Sequence, residues 1–180
     1  MPTQDTATSY GSISRFNHWL GALLVLVLLA IGLYFEDMPR GDVKKFWKGL
    51  HIAIGAFAAL FFLWRVYWRM RSTSPRELPQ PRALTLLSKT VHVLLLVGIT
   101  VLALTGPLSI WATGRGIPVM GLFSIPSPFP EFRSLHGPLE DIHAFAADAM
   151  LYLIGLHILG VIKHQLVDRD NILKRMAGRA

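Results

Sequence analysis

At 180 residues, 52% hydrophobic and with a mean hydropathy of +0.44, the chain is the size of one domain and too apolar for an ordinary water-soluble core. Its formal charge of +7 collects where the apolar runs end, so membrane orientation accounts for it and a nucleic-acid surface is not needed. Cysteine is absent, which excludes disulfides, thiolate chemistry, Cys-ligated iron–sulfur clusters and covalent haem attachment through Cys-x-x-Cys-His.

Four apolar runs, at about 14–35, 46–67, 84–111 and 142–167, each reach the roughly twenty residues that cross a bilayer. Backbone groups in lipid must be satisfied within their own segment, and no long strand-like alternation or internal repeat competes. The sequence thus predicts an all-α membrane protein, a four-helix bundle in a single domain over 1–180. The first run follows Arg15 as an export signal would. It ends in GLYFEDMPR without a small-residue cleavage site, so it is expected to be retained. The 66–89 connection carries Arg69, Arg71, Arg76, Arg82 and Lys89 against Glu77. The tail carries Arg169, Lys174, Arg175 and Arg179 against Asp168 and Asp170. The other two connections are nearly neutral, so positive-inside reasoning puts both termini and the 66–89 connection in the cytoplasm. Gly106-Pro107 is expected to kink or fray the end of the third helix. The Gly- and Pro-rich 112–141 segment, with His136 in it, reads as a loop without a long helix of its own.

Ionisable rings inside a bilayer need partners or a task. His143 and His157 in the fourth run are 14 residues apart, almost four whole turns, and so share a face about 21 Å apart along the axis. By depth His51 pairs with His143 near the outer side, and His18 with His157 near the inner side. Small residues sit one turn from each ring: Gly21 and Ala22 after His18, Gly55 after His51, Ala147 after His143, Gly160 after His157. They leave room for a flat macrocycle, so the pattern points to two bis-histidine haem sites, non-covalent and of the b type. Interhelical hydrogen bonding is the structural alternative. Zinc fits less well, because it wants four ligands around one point.

The spacing His18…His51…His143…His157, with NHWL, HIAIG, GRGIP and GLH…KH around it, resembles the bacterial di-haem cytochrome b561 family over about 14–176, and within it the superoxide oxidase branch. The resemblance implies an oxidoreductase of the bacterial inner membrane that passes electrons from periplasmic superoxide through two haems b to ubiquinone. Bis-histidine iron has no open position, which favours outer-sphere transfer at the macrocycle edge. Lys44 and Lys48 share a helical face with His51 and, with Arg115, are candidates for steering a small anion. Interface snorkelling or propionate pairing is their alternative use. Arg65, fourteen residues after His51 and at the depth of the inner haem, is a candidate propionate partner. His92 and His164 are candidate quinone contacts. Asp148, off the ligand face of the fourth helix, has no assigned role. Two other classes stay open: a membrane-anchor cytochrome between a partner redox subunit and the quinone pool, and a haem-free transporter using histidines for metal.

Overall fold

The apolar runs fold into four helices long enough to cross a membrane in the computed structural model, which describes residues 3–76, 78–170 and 172–178. They are α1 (Ser12–Glu36), α2 (Asp42–Arg71), α3 (Arg82–Trp111) and α4 (His136–Ile162), followed by a short α5 (Ile172–Ala177). The 25 residues of α1 extend about 37 Å, enough to span the hydrocarbon layer of about 30 Å. In α2, Asp42 lies in the first turn and Arg69 and Arg71 in the last, each sign where the helix dipole favours it. The chain packs α1 on α2, α2 on α3 and α3 on α4. Val25, Ala58, Ala59, Phe62, Ile99, Ala103 and Met150 form the buried core, with the Met150 sulfur filling the space beside Gly98.

Helix α3 runs unfrayed through Pro107 to Trp111. One expectation is corrected. The 112–141 segment is more ordered than a loop. It forms an antiparallel hairpin of β1 (Ile117–Val119) and β2 (Phe123–Ile125), with Ile117 opposite Ile125. Met120 and Gly121 at its tip take left-handed backbone (φ 47° and 75°). Ile117 and Val119 are buried, and Trp111 Nε1 donates to the Ile125 carbonyl at 3.4 Å. His136 does not sit in a loop but opens α4. Pro138 lies in the first turn of that helix, where a missing N–H leaves no bond unmade.

At its far end α4 passes into a π-helical turn, Lys163–Asp168, and Arg169 (φ 54°) reverses the chain into α5. Both chain ends gather here. Trp19 Nε1 donates to the Met176 carbonyl at 3.1 Å, and Arg175 Nη2 donates to the carbonyls of Thr8 (3.3 Å) and Arg76 (3.2 Å). Glu77 and Arg179, counted in the charge pattern, lie outside the described residues.

Candidate functional site: two histidine pairs between α4 and the α1–α2 hairpin

Helix α4 presents His143 and His157 toward the α1–α2 hairpin, and each meets the histidine of matching depth. The rings of His18 and His157 are 6.1 Å apart between centres, with planes at 59°; those of His51 and His143 are 6.3 Å apart, at 82°. A metal–nitrogen bond of about 2 Å on each side, plus about 1.2 Å from nitrogen to ring centre, separates two trans imidazoles by about 6.4 Å. The two observed spacings lie within about 0.3 Å of that value, so by separation each pair could share one metal ion.

One ring nitrogen is already assigned. His143 Nδ1 lies 3.0 Å from Thr105 Oγ1, whose own proton goes to the Val101 carbonyl at 2.7 Å. The hydroxyl can therefore only accept from His143, which fixes the proton on Nδ1 and leaves the Nε2 lone pair for a metal. Thr105 is 7% exposed and was not anticipated from the sequence. Neither were the two glycines that make room for the rings. A side chain on Gly106 would come within 3.2 Å of His143 Cε1, and one on Gly32 within 3.5 Å of His51 Cε1. The expected notch at Gly21 is instead filled by the Arg65 guanidinium, while Gly160 faces open space.

Arg65 Nη1 donates to the carbonyls of Asn17 (2.6 Å) and His18 (3.2 Å), which holds the guanidinium beside the His18 ring's own backbone. Both bonds leave from Nη1, so Nε and Nη2 can meet a carboxylate. His92 is exposed on α3, with its ring 5.3 Å from that of His157. His164 Nδ1 lies 2.6 Å from Asp170 Oδ2 and 3.2 Å from Asp168 Oδ2, while Asp168 also pairs with Lys163. At the other end, the lysines expected to form one cationic face diverge. Lys44 Nζ donates to the carbonyls of Glu36 and Met38, both at 2.9 Å, and so ties the α1–α2 loop. Lys48 is half-exposed, 4.0 Å from Glu140, which also meets His136 Nε2 at 3.4 Å. Arg115 is exposed just before β1, and Asp148 is exposed on α4.

Four apolar helices with ionisable rings facing one another inside the bundle are the frame of a membrane cytochrome. Residues 9–179 match the prokaryotic cytochrome b561 family, and the chain belongs to it. Membership makes this a multi-pass haem b protein of membrane electron transfer. Cytochrome b561 homolog 2 of Escherichia coli (strain K12) is 30% identical, over 100% of this chain and 97% of that protein. A Yersinia pestis protein named probable superoxide oxidase CybB is 24% identical over 88% of this chain and 90% of its own. Cytochrome b561 homolog 1 of E. coli is also 24% identical, over 90% and 93%.

Proposed function

We propose that the chain holds two haems b, one between His18 and His157 and one between His51 and His143, and moves electrons from superoxide outside the membrane to ubiquinone. The observation that carries this reading is the pair of ring separations, 6.1 and 6.3 Å, each the width of a bis-imidazole site. Held by these four histidines, the haems would supply single-electron exchange with no open position for binding oxygen. Two superoxide anions each lose one electron and leave as dioxygen. The two electrons, with two protons from water, convert the quinone to its quinol.

The residues divide this work by depth. Thr105 holds His143 in the ligating tautomer, and Arg65 offers its remaining N–H groups to a propionate near His18. The cationic side chains Lys48 and Arg115 would draw a small anion toward the His51 end. His92 and His164 are the proposed donors to quinone at the His18 end, which the uneven loop charge assigns to the cytoplasmic side of the bacterial inner membrane. The relative named as a probable superoxide oxidase supports the donor.

Rapid mixing of oxidised protein with superoxide, followed at the haem absorption band, tests the donor. Fast reduction that slows with rising salt is expected, because exposed charges are screened. Reduction no faster in the native protein than in a His51→Ala variant refutes superoxide as donor and moves the anchor-cytochrome reading forward. Pyridine haemochrome analysis should return two haems per chain, and one or none refutes the paired sites.

A further inference from the structure

Asp148 stands where a carboxyl group is least at home. It lies about 140° around α4 from His143 and about 180° from His157, so it faces away from both histidine pairs. Along the axis it sits between them, about 7.5 Å from the level of His143 and about 13.5 Å from that of His157, within the hydrocarbon layer. It is exposed and has no hydrogen bond or ion pair among the described residues. Around it Phe145 (75% exposed), Tyr152 (74%) and Leu159 (61%) form an outward apolar surface. That surface is notched by Ala144 one turn before Asp148 and by Gly155, where an added side chain would meet nothing within 4 Å.

We infer that this outward face of α4 is the contact between two copies of the chain, packed about a two-fold axis along the membrane normal. A carboxyl group in lipid requires a partner, and the face supplies its own. Copies inserted with the same orientation bring their α4 helices together in parallel, so Asp148 of one copy meets Asp148 of the other. Sharing a proton, two carboxyl groups bond to each other. Tyr152, one turn on, adds a phenol donor within reach of the opposite carboxyl. Ala144 and Gly155 let the two backbones approach. The set is self-complementary: α4 has no lysine or arginine, and none is needed to satisfy Asp148.

The absence of cysteine makes the test clean, since one introduced thiol reports alone. Ala144→Cys and Tyr152→Cys proteins, loaded with haem and oxidised in native membranes, should cross-link to twice the 20.1 kDa chain mass. Leu60→Cys, on an equally exposed site of α2 (70%), should stay monomeric. Adding Asp148→Leu should lower the cross-linked fraction about tenfold, while Asp148→Asn, which still bonds across the axis, should keep most of it. Three results overturn the inference: Ala144→Cys and Tyr152→Cys chains that remain monomeric, chains that cross-link to a protein of another mass, or Asp148→Leu chains that dimerise as well as their parents. Should Asp148→Leu fail to accumulate, the two single-cysteine proteins decide.

Discussion

Replacing Thr105 by Val keeps the volume of the side chain and removes the acceptor that holds His143 Nδ1. The hydroxyl is buried, 3.0 Å from Nδ1, and already gives its proton to Val101. Its loss strands a part-buried imidazole N–H, at a cost of about 1–3 kcal/mol. At about 1.4 kcal/mol per factor of ten, that is roughly a five- to 150-fold weakening. Loss of hydrogen bonds behind metal-ligating histidines generally costs about 10–100-fold in affinity, which agrees. The effect should fall on one haem only. In detergent, with excess apomyoglobin as acceptor, haem should leave the wild-type chain slowly. From Thr105→Val one of the two should leave about 10–100 times faster, while Thr105→Ser, which retains the hydroxyl, should behave as wild type. Equal release from Thr105→Val and wild type, or acceleration of both haems together, refutes the assigned tautomer and its role.

Glu140→Gln removes the carboxylate beside Lys48 and should speed superoxide reduction a few-fold at low salt. The gain should vanish near 1 M salt, where charges act over only about 3 Å; stopped-flow traces across a salt series read both. Asp170→Asn alters the group that orients His164. Reoxidation of dithionite-reduced protein by a soluble ubiquinone should slow about tenfold or more without a change in haem spectrum, whereas an unchanged rate removes His164 from the quinone site. Reporter fusions within 72–76 should indicate cytoplasm and those at 126–128 the outside, and the opposite pattern reverses every directional statement made for the two sites.

The four spans were legible because each is a long apolar run, and lipid leaves a polypeptide no other fold for such a run. The histidine pairing was legible because a helix converts residue number into depth. Neighbourhood across helices has no such rule. Gly21 was read as space for a macrocycle, but Arg65 from α2 occupies it. Gly32 and Gly106, which do make way for histidine rings, sit on helices other than those of the rings they accommodate. Thr105 carries no signal of its own, since a threonine in an apolar helix commonly bonds back to the preceding turn, as this one also does. The hairpin escaped because three-residue strands are too short to show alternation. The start of α4 escaped because Gly137-Pro138 reads as a breaker until its place in the first turn is known.

One property of α4 bears on how the protein is made. This last spanning helix contributes a histidine to each pair and otherwise packs on α3, while the opposing histidines belong to the first hairpin. Under the proposed ligation, a chain still emerging from the ribosome holds only half of each site until α4 enters the membrane. Neither haem can then be captured early, and loading follows insertion of the whole bundle. The two metal centres would be the rivets that fasten the last helix to the first two, so chains that miss their haem should hold α4 by its packing on α3 alone and be cut more readily by membrane proteases.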